Sequence, residues 1–281
     1  MKRLRIEHQT GFTYPGDVVA SYNEARMLPV STDSQFVLSS SLDIEPSTSV
    51  NQYVDYFGTR VAAFDVLSPH SGLTITARSL VEVRPRPIEH ADITWEELRE
   101  QASKSIATVE QLTQTRRTTP HPEVAEMARA VAARHDRPGP AAHAIAEAVG
   151  EAIDYMQGVT GVHSTAVDAW EARKGVCQDI AHITLGALRE VGIPTRYVSG
   201  YLHPKPSAEV GEAVTGESHA WVEWFAGDWQ GFDPTNNIEI GDRHVLVGRG
   251  RDYNDVPPLR GVYAGPGKSQ LKVRVTITRE T

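Results

Sequence analysis

Three residues of this chain have side chains whose types and order could carry out nucleophilic chemistry. Cys177 is the only cysteine among 281 residues, so it cannot form a disulfide within the chain. His219 and Asp233 follow it in the sequence. A thiol attacks a carbonyl as the thiolate, and it needs an imidazole as base and a carboxylate that orients the ring. The order Cys, His, Asp therefore predicts a nucleophilic thiol site.

The residues after Cys177 predict a helix that begins at this cysteine. Apolar residues recur with helical spacing, and Gly192-Ile193-Pro194 predicts the end of the helix. The predicted apolar stripe consists of Ile180, Ile183, Ala187, Leu188 and Val191. The unpaired N–H groups of a helix N-terminus favour an anion, so this position favours the thiolate, although Asp179 in the same turn works slightly against it.

The segments that carry His219 and Asp233 are predicted to form a β-hairpin. His219 and Trp221 share one face of the first strand because side chains alternate along a strand. A hairpin closed by the loop 226–228 would pair Asp233 with Trp221, diagonal to His219 on the same face. The carboxylate would then lie within hydrogen-bonding reach of the imidazole, where it could fix the tautomer of the ring.

The composition is that of a soluble globular protein and excludes several classes of function. Hydrophobic residues make up 40% of the chain and charged residues 23%, with a net charge of −8. An acidic chain of this kind is not expected to bind nucleic acid or an anionic membrane. No apolar stretch approaches the roughly 18–20 residues that span a bilayer. The polar N-terminus does not resemble a signal peptide, and together with the single thiol it predicts a cytoplasmic location.

The distribution of helical and strand patterns predicts an α+β fold. Residues 1–87 are expected to form a β-rich N-terminal domain, since alternating runs separated by Gly and Pro dominate there. A helical linker is expected over 88–118. Residues 119–281 are expected to form the catalytic core, which includes helices, an antiparallel sheet and the C-terminal strands.

At these residues the chain resembles the transglutaminase-like superfamily, a branch of the papain-like thiol enzymes. It is most similar to bacterial members that carry a β-rich N-terminal domain. The resemblance rests on the blocks Gly175-Val176-Cys177-Gln178-Asp179, Ser218-His219-Ala220-Trp221 and Gly231-Phe232-Asp233-Pro234-Thr235. It implies a nucleophile helix packed on an antiparallel sheet.

The resemblance also implies a role for each residue of the predicted site. Cys177 would be the nucleophile, His219 the general base and acid, and Asp233 the residue that orients the ring. The chemistry implied is attack on an amide carbonyl, with a thioester intermediate that water or an amine resolves.

Four further residues are candidates for contacts with the substrate or the oxyanion. The backbone N–H of Cys177 is the natural first donor of an oxyanion hole. Members of the family use a side chain upstream of the nucleophile as the second donor, and Tyr155 or Gln157 is the candidate in this chain. Gln178 and Trp221 are candidates for substrate contacts.

Three functions are compatible with the sequence. The first is a peptidase or amidase that acts on a peptide or protein substrate, and the second is a transglutaminase that transfers the acyl group to an amine. The third is an inactive interaction module, which the intact blocks disfavour. Hydrolysis is preferred because no calcium-site pattern of the animal cross-linking enzymes is visible. No cofactor is expected, and Asp179 with His182 has metal-ligand spacing but no third ligand, so His182 is expected to be a buried support.

Overall fold

The computed structural model describes residues 1–84, 91–216 and 218–281. The predicted boundary between residues 87 and 88 lies outside the described residues. The strands of the described part are β1 Lys2–Val18, β2 Ala20–Ala25, β3 Gln35–Glu45, β4 Val50–Val54, β5 Arg60–Val66, β6 His70–Val83, β7 Asp154–Tyr155, β8 Lys174–Gly175, β9 Thr195–Leu202, β10 Ala213–Gly216, β11 Ser218–Phe225, β12 Trp229–Asp233, β13 Ile238–Glu239, β14 His244–Gly250, β15 Leu259–Ala264 and β16 Gln270–Arg279.

The α-helices lie between β6 and β9 in the sequence, together with the short strands β7 and β8. They are α1 Trp95–Lys104, α2 Ile106–Val109, α3 Pro122–Ala132, α4 Pro138–Ala152, α5 Ala166–Ala172 and α6 Cys177–Glu190, with short 3₁₀ helices at Glu110–Leu112 and Tyr253–Asp255. Strands and helices alternate in blocks, so the predicted α+β class is confirmed. Among the helices of the described residues, none is long and apolar enough to cross a membrane.

Two antiparallel sheets form the N-terminal part of the molecule, with strand orders β10-β16-β1-β6-β3 and β15-β2-β5-β4. The long strand β1 buries alternate side chains such as Leu4 and Ile6. The C-terminal strands β15 and β16 pair with β2 and β1. Both strands were expected in the catalytic core, and in the structure they pair with strands of the N-terminal part. The strand pattern of a segment shows that it pairs, but it does not show with which partner.

Helix α6 packs against a third sheet, with strand order β13-β12-β11-β9-β14. Four residues of the predicted stripe, Ile180, Ile183, Ala187 and Leu188, are at most 1% exposed, and Val191 is the partly buried C-cap residue. The opposing face of β11 contributes Ala220, Val222 and Trp224 to the same core. Burial of this stripe fixes the rotation of α6 on the sheet, and it therefore fixes where the first turn of the helix points.

Hydrogen bonds between the N-terminal part and the third sheet also support the third sheet. The amide of Gln35 donates to the carbonyl of Leu246 at 2.8 Å, and its oxygen accepts the N–H of the same residue at 2.8 Å. The hydroxyl of Tyr201 donates to the carbonyl of Met27 at 2.9 Å. The strands β9 and β14 are therefore held from both sides, by α6 and by the N-terminal part.

Candidate active site

Cys177 is the first residue of α6 and is partly exposed. The turn before it is fixed by Asp179, whose carboxylate accepts the N–H of Val176 at 2.9 Å and the hydroxyl of Thr160 at 2.6 Å. Gly175 allows this close approach, since a Cβ there would lie 2.8 Å from the Cβ of Asp179. The N–H groups of Cys177 and Gln178 have no backbone acceptor among the described residues, and they place partial positive charge near the thiol.

His219 and Asp233 meet because of the hairpin formed by β11 and β12. Its register pairs Val222 with Phe232 and Phe225 with Trp229, which confirms the register predicted from the three-residue loop. His219 Nε2 lies 2.7 Å from Asp233 Oδ2. The hairpin therefore places the carboxylate against the Nε2 edge of the ring.

The carboxylate of Asp233 is buried and accepts hydrogen bonds on both oxygens. Oδ1 accepts the backbone N–H groups of Thr235 and Asn236, at 3.1 and 3.2 Å. Oδ2 accepts from His219 and, at 2.8 Å, from the side-chain amide of Asn236. Burial alone would raise the pKa of this carboxyl, but these hydrogen bonds and that of His244 hold the pKa well below its usual range. Asp233 is therefore ionised.

The imidazole of His219 lies between the carboxylate and the thiol. It hydrogen-bonds Asp233 at 2.7 Å and lines the same cavity as Cys177. Burial alone would lower the pKa of His219, but the hydrogen bond to Asp233 and the nearby acidic groups of Asp233 and Cys177 raise it to about 10. The protonated ring is therefore the stable form at neutral pH, and it can hold the proton that the thiol loses.

His244 also contacts Asp233, although it was not among the predicted site residues. Its Nδ1 accepts the N–H of Gly241 at 3.2 Å, so the proton of the neutral ring sits on Nε2. That Nε2 lies 3.3 Å from Asp233 Oδ2 and donates to it. Burial lowers the pKa of His244, which keeps the ring neutral. A histidine before the apolar run Val245-Leu246-Val247 was the available sequence signal, since a polar residue in a buried strand needs a partner.

The set His219, Asp233 and His244 also has a spacing that suits a metal ion. Their ligand atoms all lie within 4.8 Å of one another. The hydrogen bond from Gly241 leaves the proton on the Nε2 of His244, and a protonated nitrogen does not bind a metal. Hydrogen bonds therefore account for this spacing. Asp179 and His182 are absent from any group of three potential ligands in the described residues.

His182, expected to be a buried support, has no exposed surface. Its Nε2 accepts the backbone N–H of Tyr253 at 3.2 Å. Burial, reinforced by the charges of Arg117 and Arg189, lowers the pKa of His182 to about 3. The ring is therefore neutral and holds the 3₁₀ turn at Tyr253 against α6.

A cavity of about 540 Å³ opens at Cys177 and His219. Tyr155, Gln157 and Gln178, three of the predicted contact residues, line it. Tyr155 reaches this position because β7 pairs with β8, which sets Tyr155 beside Gly175. These side chains therefore lie beside the predicted nucleophile, and their roles stay predictions.

Trp221, also proposed as a substrate contact, does not line this cavity. It is 1% exposed, and its ring packs over Gly200, where a Cβ would lie 2.5 Å from it. The ring centroid lies 6.2 Å from that of His219 and 5.3 Å from that of His244. Alternation correctly placed Trp221 on the same strand face as His219, but it could not show that neighbouring side chains bury Trp221 there. Trp221 packs beside the two histidines instead.

Glu223, the other carboxylate on the His219 face, belongs to a separate ion cluster. Its oxygens accept from Arg196 Nε at 2.6 Å and from Arg249 Nε and Nη2 at 2.8 and 3.0 Å. Burial alone would raise the pKa of Glu223, but the two guanidinium groups lower it to about 2. The cluster lines a second cavity, which does not include the thiol.

Comparisons with known proteins agree with this architecture. The family model for the bacterial transglutaminase-like N-terminal region matches residues 4–82, and that for the transglutaminase-like superfamily matches residues 125–234. An uncharacterized protein of Mycobacterium leprae is 45% identical over 280 residues, which cover 99% of both chains. An uncharacterized protein of Mycobacterium tuberculosis is 31% identical, over 98% of this chain and 92% of that protein. The chain belongs to the transglutaminase-like superfamily.

A solved structure shares the fold over nearly the whole chain. It is a protein of Cytophaga hutchinsonii, provisionally described as a cysteine protease, and the TM-score is 0.79. The match covers 99% of this chain and 90% of that one at 19% identity. The predicted fold, a β-rich N-terminal region followed by a transglutaminase-like core, is confirmed. It is the fold of thiol enzymes.

Proposed function

We propose that the protein is a thiol hydrolase that attacks an amide carbonyl of a peptide or protein through Cys177, His219 and Asp233. The observation that carries this proposal is the position of the His219 ring, which hydrogen-bonds a buried, ionised carboxylate and lines the same cavity as the thiol. A structural histidine would not need two acidic partners that raise its pKa to about 10.

The geometry supports a sequence of proton transfers in which His219 takes part twice. The thiolate sulfur of Cys177 attacks the carbonyl carbon, and the oxyanion that forms faces the N–H groups at the start of α6. Protonated His219 then gives its proton to the leaving amine, and the C–N bond breaks to leave a thioester. The neutral ring takes a proton from water, whose oxygen attacks the thioester and releases the acid and the thiolate.

Asp233 holds the His219 ring in the tautomer that this cycle requires. Because its Oδ2 accepts from Nε2, it leaves Nδ1 as the ring nitrogen that exchanges a proton with the thiol. We further propose Tyr155 or Gln157 as the second oxyanion donor, since both line the same cavity as Cys177. A cytoplasmic location is proposed because a chain whose single cysteine is a free thiol is typical of a reducing compartment.

Hydrolysis is tested with denatured casein and a blocked Gln-Gly dipeptide, each with and without the primary amine cadaverine. We expect new amino termini or ammonia without cadaverine, and no turnover by Cys177→Ser, which keeps the volume of the side chain. Turnover that appears only with cadaverine would instead show acyl transfer. A Cys177→Ser variant as active as the wild type would contradict the proposal.

A further inference from the structure

Strand β16 has a partly open edge. Along one side it pairs with β1 from Gln270 to Arg279. On the other side β10 covers only the four residues from Val275 to Thr278. In the described part of the chain, no strand pairs with residues 270–274 on that side. In an antiparallel strand, alternate N–H and C=O groups point away from the existing neighbour, so this edge offers hydrogen bonds to a further strand.

The open edge borders the cavity of the thiol. Val273, Arg274 and Val275 line the same cavity as Cys177 and His219. Leu271 and Val273 are 57% and 54% exposed, although they share a strand face with the buried Val275. The apolar face of β16 therefore continues out of the core and along the open edge. An extended chain beside it would bury this surface and reach the site.

The charges of the edge indicate what kind of chain fits. Lys272 and Arg274 share the other face of β16, opposite Gly11 and Gln9 of β1. Neither cation forms an ion pair with a described residue. A second copy pairing antiparallel about Lys272 would place this lysine against itself, and one pairing about Val273 would place Lys272 against Arg274. Like charges directly opposite are destabilising, so the edge disfavours its own copy and favours an acidic partner.

We propose that residues 270–274 of β16 bind an extended segment of the substrate as an added strand. This segment would carry acidic residues opposite Lys272 and Arg274 and apolar residues beside Leu271 and Val273. Backbone hydrogen bonds provide affinity in this mode, and alternate side chains provide specificity. The inference rests on the proposed function, and it identifies the substrate class as an extended acidic polypeptide rather than a small amide.

The first test measures how fast Cys177 is alkylated. The probes are iodoacetamide and the peptide Gly-Glu-Val-Glu-Val-Gly carrying an iodoacetyl group at one end or the other. We expect one of the two peptide probes to label Cys177 about tenfold faster than iodoacetamide, from charge pairs and strand pairing together. N-methylation of one alternate set of its amides should remove the gain, and methylation of the other set should keep it, because only alternate amides face β16.

The second test reverses the charges of the edge. In the double variant Lys272→Glu with Arg274→Glu, the preference should switch to a probe with Lys in place of Glu. The matched control, Arg99→Glu with Arg134→Glu, changes the same net charge at exposed sites on the helical part of the chain, away from β16, and should keep the wild-type preference. Failure of iodoacetamide itself to label Cys177 would contradict the proposed function.

Two results would overturn the strand proposal alone. One is normal labelling of Cys177 by iodoacetamide with no faster peptide probe, or with equal loss from both methylation sets. The other is a dimer in sedimentation whose formation blocks peptide labelling, which would mean that a second copy occupies the edge.

Discussion

Asp233→Asn is expected to lower turnover by roughly 10³-fold or more while the chain still folds. The Asn oxygen can accept the backbone N–H groups of Thr235 and Asn236, as Oδ1 does now. Its NH₂ group would then replace Oδ2 and face the Nε2 of His219, which is a donor. The ring would have to turn its lone pair to residue 233 and its proton to the thiol, so it could no longer accept the thiol proton.

The comparison variant for this effect is Glu223→Gln, the same carboxylate-to-amide change on the same face of the sheet. Turnover of both variants is measured per folded molecule, with circular dichroism as the check on folding. We expect Glu223→Gln to keep most of the wild-type turnover because the Glu223 cluster does not contact the thiol. The reverse order of the two variants would mean that Glu223, and not Asp233, orients the base.

Glu223→Gln should instead have the largest effect on stability. It leaves Arg196 and Arg249 facing a neutral amide in a site where the three side chains are only 12–27% exposed. Removing one partner of a buried ion pair costs about 3 kcal/mol or more of unfolding free energy. Urea denaturation of the variant and the wild type at pH 7 measures this difference.

The pH dependence of that difference follows from the pKa of Glu223. The pKa of Glu223 is lowered to about 2 in the folded chain. The stability that the ionised carboxylate contributes is therefore complete above the ordinary carboxyl pKa of 4.5 and is lost as the pH falls towards 2. The unfolding free energies of the wild type and Glu223→Gln should therefore converge in acid. The control Glu7→Gln removes an exposed partner of Arg78 and should change stability by less than about 1 kcal/mol. An equal loss in both variants would contradict the account of the cluster.

The parts of the site that depend on local geometry could be predicted from the sequence. Helix spacing placed Cys177 at a helix start, and the loop 226–228 determined the register that brings Asp233 to His219. Both follow from the periodicity of side chains over a few residues. His244 escaped prediction because its contact with Asp233 depends on β14 pairing with β9, which no local pattern specifies.

Long-range pairing also explains the other differences. The alternation in β16 predicted a strand, but its partner β1 lies more than 250 residues away in the sequence. Trp221 was placed on the correct strand face, but only the folded structure shows that it is buried there. A period of two residues assigns a face and not the neighbour that covers it.

The central claim, that His219 holds the proton of a reactive Cys177 thiol, is tested most directly by the rate of iodoacetamide labelling. An ordinary thiol with a pKa of about 8.5 has well under about 1% thiolate at pH 6. Because the pKa of His219 is raised to about 10, its positive charge is present at pH 6 and is lost only as the pH rises through 10. We predict labelling at pH 6 that is at least about tenfold faster in the wild type than in His219→Ala, with the two rates converging above pH 10. Equal rates at pH 6, each following the titration of an ordinary thiol, would contradict the account.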